Sequence, residues 1–361
     1  MRIWLAGGGT GGHLCPGMGL ADELKRIRPD VDIGFLGTNV GLDRELLWGS
    51  GYRLELLSAG RGSPLSWRRP SNAPRFLLAL WQVYRLFTRE RPDVVVALGG
   101  FGAAAPGIMA RVLKIPLIIL EQNTVPGRVN RMLSGWAAEI HSQFEEARNY
   151  FRESSAVFNH SGSPLRGPFL CMCSEPPCCG DAILVMGGSQ GAKRLNEIFA
   201  DAARRIIGET GAKLIHVAGP AHEADIRSSY YRAGVQAEVY GFYNNMEELY
   251  RRSRLVVARS GAISLAEFAA AGLPAVLVPL PSAMDDHQRL NALSLVLSEA
   301  AASYEETKAS TETFAPLVVS LWKDEARRQA MAMEMRRTAK PEAGHEIALS
   351  VIRLAGAKVK A

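Results

Sequence analysis

"WLAGGGTGGHLCPG", residues 4–17, runs an apolar segment into five glycines among six residues and then reaches a histidine. Glycine costs roughly 0.5–1 kcal/mol against alanine inside regular structure, so the cluster needs a reason. Close approach of another group to the backbone supplies one. An apolar run, a glycine turn and a helical pattern opening near His13 read as strand, loop and helix, the first unit of a parallel α/β sheet.

The same pattern recurs along the chain. "RIWLAGG", "DIGFLGT", "DVVVALGG" and "PLIILEQN" lie in the first half, and "AILVMGG", "KLIHVAGP", "LVVARSG" and "PAVLVPL" in the second. Each run holds four to six apolar residues, and most are followed by a segment of helical period. Such runs are parallel strands covered by helices on both faces. The expectation is α/β: two Rossmann-like, doubly wound domains facing a cleft, with ligands beyond the carboxyl ends of the strands. The second half opens as the first does, on Gly187-Gly188-Ser189-Gln190-Gly191-Ala192. Residues 161–181, rich in Pro, Gly, Ser and Cys, read as the linker. The expected domains are 1–163 and 164–340, with a helical 341–361 crossing back to the first.

A chain of 361 residues suffices for two such cores, and 47% apolar with 22% charged residues is ordinary for a soluble globular protein. No apolar run approaches the ~20 residues of a membrane-spanning helix. "MRIWLAGGG" has no leader-like apolar region, so a cytoplasmic protein is expected. The net charge of +6 is local: residues 61–91 carry seven arginines against one acid, Glu90. A local basic block points to a local partner and not to general nucleic-acid binding. Cys171, Cys173, Cys178 and Cys179 crowd into "CMCSEPPCCG" without a histidine at zinc-ligand spacing, and read as free thiols ahead of a metal site.

Gly7, Gly9 and Gly12 satisfy G-x-G-x-x-G, the dinucleotide fingerprint. A nicotinamide site also wants an acid at the end of the second strand, and "DIGFLGT" ends in Gly37-Thr38. The second-half loops suit phosphates better, because helix N-termini present N–H groups and a positive dipole end. Ser189 can add a hydroxyl and Arg166 a charge. At "RSGAISLAE", Ser260, Gly261 and Ala262 turn the chain into another helix, and Glu267 lies two turns further along the same face. A carboxylate there can take both hydroxyls of a ribose whose phosphates sit over the first turn.

At these residues the chain resembles a known family. "GGTGGH", "EQN", "GGSQGA", "RSGA-x-x-x-x-E-x-AAAGLPA" and "HQ-x-x-NA" occur in the order and spacing of the MurG family of bacterial glycosyltransferases. The resemblance covers essentially the whole chain. It implies the GT-B fold and transfer, with inversion, of N-acetylglucosamine from UDP-GlcNAc to the 4-hydroxyl of undecaprenyl-pyrophosphoryl-MurNAc-pentapeptide. It implies no cofactor, no essential metal at the diphosphate, and a peripheral place on the cytoplasmic face of the inner membrane. Ser189, Arg166, Ser260, Gly261 and Ala262, with the following turns Ile263, Ser264, Leu265 and Ala266, are thereby assigned to the donor. Glu267 takes the ribose, the Tyr243 main chain reads the uracil edge, and Gln288 holds sugar hydroxyls beside His287 and Asn291. Thr10, Gly11, Gly12 and Asn123 face the sugar, while Gly9, Gly99, Gly100 and Asn130 face the acceptor. Leu120, Phe101 and Ser163 depart from the residues usual in the family.

Inversion requires a base for the attacking hydroxyl and stabilisation of the departing diphosphate. Histidine's unperturbed pKa suits a base at neutral pH, which makes His13 the first candidate, with Glu121 as rival. Bare glycines at 9, 11 and 12 leave room for two anionic substrates. Phe76, Leu77, Leu80, Trp81, Tyr84 and Phe87 recur at helical spacing, with Gln82, Arg85 and Arg89 on another face. Some of these pack inward, while Trp81, Arg85, Phe87 and Arg89 are expected to meet an anionic membrane surface. Another GT-B enzyme, such as a glycolipid transferase or UDP-GlcNAc 2-epimerase, and a non-catalytic sugar-nucleotide-binding subunit remain the alternatives.

Overall fold

The computed structural model describes residues 1–8, 11–38, 47, 49–58 and 72–358. The chain divides into two compact units, Met1–Arg166 with Lys340–Ala361, and Gly167–Ala339.

The first unit is a seven-stranded parallel sheet: β1 (Arg2–Gly7), β2 (Asp32–Thr38), β3 (Arg53–Leu57), β4 (Val94–Gly99), β5 (Leu117–Glu121), β6 (Glu139–Ser142) and β7 (Val157–Asn159). Their order in space is β3-β2-β1-β4-β5-β6-β7. Alternate residues of each strand enter opposite cores, as the two-residue period demands. Ile3, Leu5, Phe35, Val94, Val96 and Ile118 meet Leu14, Leu20 and Leu24 of the helix Gly11–Ile27. Ile347 and Val351 of the C-terminal helix Ala343–Lys358 join that core. Trp4, Ala6, Leu36, Val95, Ala97 and Ile119 meet Val83 and Phe87 of the helix Asn72–Glu90 on the other face.

The second unit repeats the design with β8 (Ala182–Met186), β9 (Lys213–Val217), β10 (Glu238–Tyr240), β11 (Ser253–Ala258), β12 (Ala275–Leu277) and β13 (Ala301–Ser303). The order is β10-β9-β8-β11-β12-β13. The eight expected strands are all present. The five unexpected ones, β3, β6, β7, β10 and β13, are three to five residues long and include all four sheet edges.

Both sheets reverse their order beside their first strand, at β1/β4 and at β8/β11. The helix after β1 packs into one core, and the helix after β4, Ala104–Val112, into the other through Ala105 and Ala110. A crevice therefore opens over the carboxyl ends of these strands, where ligands of such sheets bind.

Phe87 is a correction. It was expected at a membrane, yet it is 1% exposed and packs with Ala79, Val83 and Leu86 beneath the sheet. The outward face of this helix carries Leu77, Leu78, Trp81 and Tyr84, with Trp81 53% exposed.

One buried polar network bears on stability. His216 on β9 lies between Tyr230 Oη (2.6 Å from Nδ1) and Asn196 Oδ1 (3.1 Å from Nε2). Burial disfavours the imidazolium and pulls its pKa down to about 3. The unfolded chain takes up this proton near pH 6.5, so the contribution is complete above pH 6.5 and erodes as pH falls toward 3. Between pH 7 and pH 5 the loss from His216 is about 2 kcal/mol. In urea unfolding, His216→Gln should lose stability over that interval by correspondingly less than the parent protein, and equal losses would contradict the assignment.

Candidate active site

In the first unit the loops after β1, β4 and β5 bring together His13, Gly99-Gly100 and the Glu121-Gln122-Asn123 turn. His13 is half-buried in the first turn of the helix Gly11–Ile27, and its Nδ1 is 3.4 Å from Gln122 Oε1. Gly99 and Gly100 have φ of 96° and 68°, which glycine adopts without strain. A Cβ on Gly100 would stand 2.9 Å from the His13 ring, and one on Gly99 3.1 Å from it. The two glycines, assigned by resemblance to the acceptor, thus also form the seat of the imidazole.

Glu121 is buried and its carboxylate is fully engaged. Oε1 accepts from Asn123 N (2.9 Å), while Oε2 accepts from Gly127 N (3.1 Å) and Asn130 Nδ2 (2.8 Å). Burial raises its pKa against the lowering effect of these bonds. The carboxylate braces the turn after β5, and Asn130 also donates to Leu120 O at 3.1 Å. Gly12 is exposed, whereas Gly9 and Thr10 lie outside the described residues.

In the second unit the crevice is lined from β8 and β11. Gly188 and Gly191 have φ of 85° and 72°, and a Cβ on Gly191 would stand 2.0 Å from Ala218 O. Here glycine admits the protein's own neighbouring loop. Ser189 sits half-buried in that turn. Ser260 is buried: its Oγ donates to Gln288 O at 2.7 Å, and its carbonyl accepts from Asn291 Nδ2 at 3.2 Å. The helix Ala262–Ala271 follows Gly261, an N-cap with no side chain of its own to bond the first turn, which contains Ile263 and Ser264. Its amino end carries a partial positive charge.

Glu267, seven residues or about two turns after Ser260, with Leu265 and Ala266 just before it, is 9% exposed, and its Oε2 accepts from Tyr250 Oη at 2.8 Å. Gln288, at the start of the helix His287–Leu297, accepts from Leu280 N through Oε1 at 3.0 Å. His287 bonds Met284 O at 2.8 Å, and Asn291 is fully buried. Tyr243 is half-buried and donates its hydroxyl to Glu248 at 2.8 Å. Arg166 is half-buried at the end of the first unit.

Two supporting residues escaped the sequence reading. Tyr250, in "EELYRR", carries no local mark of its bond to Glu267. Gln122 lies between two residues that were singled out. The five cysteines are free thiols, and among the described residues no group of three His, Cys, Asp or Glu side chains could hold a metal.

Comparison with known proteins agrees with this architecture. Residues 3–142 match the glycosyltransferase family 28 N-terminal domain, and residues 182–347 its C-terminal domain. A Geobacter sulfurreducens relative is 36% identical, covering 96% of this chain and 97% of its own, and one from Methylococcus capsulatus is 37% identical, covering 99% of each. Both are named UDP-N-acetylglucosamine–N-acetylmuramyl-(pentapeptide) pyrophosphoryl-undecaprenol N-acetylglucosamine transferase. The crystal structure of Acinetobacter baumannii MurG superposes with a TM-score of 0.76 at 28% identity, covering 98% of this chain and 99% of that one. A UDP-N-acetylglucosamine 2-epimerase structure, at 14% identity and TM-score 0.67 over 96% and 94%, shares the fold alone. The chain belongs to the MurG family of glycosyltransferase family 28.

Proposed function

We propose that this enzyme transfers N-acetylglucosamine from UDP-GlcNAc to the 4-hydroxyl of MurNAc in undecaprenyl-pyrophosphoryl-MurNAc-pentapeptide, forming the lipid-linked disaccharide of peptidoglycan. One observation carries the reading. A buried carboxylate, Glu267, stands about two turns beyond Ser260, on the helix that opens after Gly261, in a chain 36–37% identical to relatives named for that reaction.

The diphosphate rests on the amino end of the helix Ala262–Ala271, where fixed N–H dipoles oppose the charge that grows as UDP departs. Ser189 and Arg166 contribute a hydroxyl and a positive charge. Glu267 accepts from the ribose hydroxyls, and Tyr250 keeps its carboxylate in place. Gln288 is tied to Leu280 through its oxygen and offers its amide nitrogen to the sugar, with His287 and Asn291 shaping that end of the site.

The attacking hydroxyl loses its proton to His13 Nε2 as its oxygen bonds to the anomeric carbon and the bond to UDP breaks. His13 serves here in preference to Glu121, whose oxygens already hold the turn after β5. Base catalysis of this kind contributes roughly 10²–10⁴-fold. His13→Ala should therefore lower kcat at least tenfold while UDP-GlcNAc affinity by calorimetry stays near that of the parent. Undiminished kcat would remove His13 as base.

Glu267→Gln keeps an acceptor for Tyr250 but removes the charge. Hydrogen bonds to charged groups contribute about 1.5–3 kcal/mol, so the KM for UDP-GlcNAc should rise about tenfold or more with the acceptor KM little changed. Equal effects on both would contradict the ribose assignment.

The outward face of the helix Asn72–Glu90 suits the acceptor's location. Leu77, Leu78, Trp81 and Tyr84 are exposed, and the Arg85 guanidinium lies 4.9 Å from the Trp81 ring centre. Among the described residues no helix is long and apolar enough to cross a membrane. Aromatic and arginine side chains together favour adsorption to an anionic lipid surface. Trp81→Gln combined with Arg85→Gln and Arg89→Gln should weaken binding to phosphatidylglycerol vesicles severalfold, leaving turnover of a water-soluble acceptor analogue intact. Unchanged vesicle binding would remove the membrane assignment.

The direct test is incubation with labelled UDP-GlcNAc and a muramyl-pyrophosphoryl-lipid analogue. A labelled disaccharide is expected; an epimerised sugar, or UDP release without acceptor, would favour another enzyme of this fold.

A further inference from the structure

We infer that Arg259 is a positioning residue that sets the side-chain amide of Gln288, and through it the grip on the donor's sugar ring. The inference rests on the reading of Gln288 as the residue that holds sugar hydroxyls.

The geometry begins with two prolines. Beyond β12 the chain reads Val278-Pro279-Leu280-Pro281, and proline has no N–H. Leu280 therefore carries the only backbone donor of residues 279–281, and it donates to Gln288 Oε1 at 3.0 Å. A backbone N–H can only donate, so the oxygen end of the amide turns to Leu280 and the nitrogen end turns away. The position of Leu280 thus decides where the amide nitrogen of Gln288 points.

Arg259 holds that position. It follows β11 directly and is 7% exposed. Val278 N donates to Ala258 O at 2.8 Å, carrying the β11–β12 pairing one residue further. The carbonyls of Val278 and Pro279 then both accept from Arg259 Nη1, at 2.9 and 3.2 Å. Its Nη2 is ion-paired with Glu306, in the helical turn Glu306–Lys308 that follows β13. One guanidinium therefore ties together the carboxyl ends of β11, β12 and β13, which are neighbours in the sheet. A rigid fork of donors can hold two carbonyls and a carboxylate at once, which the compact ammonium of lysine cannot. Glu306 keeps the buried charge paired, without which its burial would be strongly unfavourable.

The main chain of Gln288 is held from the next residue along. Its carbonyl accepts from Ser260 Oγ at 2.7 Å. Consecutive residues thus fix the two ends of Gln288: Ser260 its backbone directly, and Arg259 its side chain through residues 278–280.

The test titrates the full-length enzyme with UDP and with UDP-GlcNAc by calorimetry. The ratio of the two dissociation constants isolates the sugar, because both ligands share the nucleotide. Arg259→Lys keeps a charge opposite Glu306 but loses the fork, and should weaken UDP-GlcNAc relative to UDP by about threefold or more. Gln288→Ala should shift the ratio at least as far. Adding Arg259→Lys to Gln288→Ala should then shift it no further, since both changes act on one contact. Arg259→Met combined with Glu306→Met removes both buried charges together and should shift the ratio as Arg259→Lys does, which covers a single variant that folds poorly. If Gln288→Ala shifts the ratio while the Arg259 variants keep the parent value, weakening both ligands equally or neither, the inference is overturned. A further shift on the Gln288→Ala background would overturn it too. A parent ratio in Gln288→Ala would instead remove the sugar reading of Gln288, and the inference with it.

Discussion

Two neighbouring parallel strands whose following helices leave toward opposite faces cannot close the space above their carboxyl ends. This constraint governs both units of the protein. In the first, β1 sends its helix into the core around Leu14 and Leu20, while β4 sends its helix into the core around Val83 and Phe87. In the second, β8 feeds the helix holding Leu195 and Phe199. The helix after β11 instead packs Phe268 on Tyr250. The chemistry-bearing residues gather there because strand ends and helix starts supply fixed backbone donors in a crevice that no side chain needs to fill.

Much of this was legible in the sequence, and the reason is burial. Strands covered on both faces must be apolar throughout, so β1, β4, β8 and β11 stand out as unbroken runs ending in glycine or polar residues. The strands that escaped notice are short and mostly at sheet edges, or carry polar residues whose partners are remote. β6 is the instructive case. Its Glu139 and His141 pair with each other inside the unit, and Arg353 reaches Glu139 from the C-terminal helix. Burial lowers the His141 pKa even beside that carboxylate. No local pattern announces a contact between residues so far apart. Phe87 fails for the converse reason: a helical stripe shows that a face is apolar, and only packing decides how far around the helix the core extends.

The glycines show the same limit. From sequence they mark close approach, and close approach is what the structure contains, yet the approaching group differs from loop to loop. Gly191 admits the neighbouring Ala218 carbonyl, while Gly99 and Gly100 admit the ring of His13. The carboxylates divide similarly. Glu121 and Glu267 are both buried acids, but the first is saturated by donors from its own turn and the second accepts from the hydroxyl of Tyr250 on another helix. Their partners differ in kind, one set local and the other remote, a distinction residue type alone does not carry.

The account stands on the second unit's crevice as the seat of the nucleotide. A crystal structure with UDP measures this directly: the diphosphate should lie on the first turn of the helix Ala262–Ala271, with the ribose hydroxyls within hydrogen-bond distance of the Glu267 carboxylate. UDP bound away from Ser260 and Glu267 would contradict it.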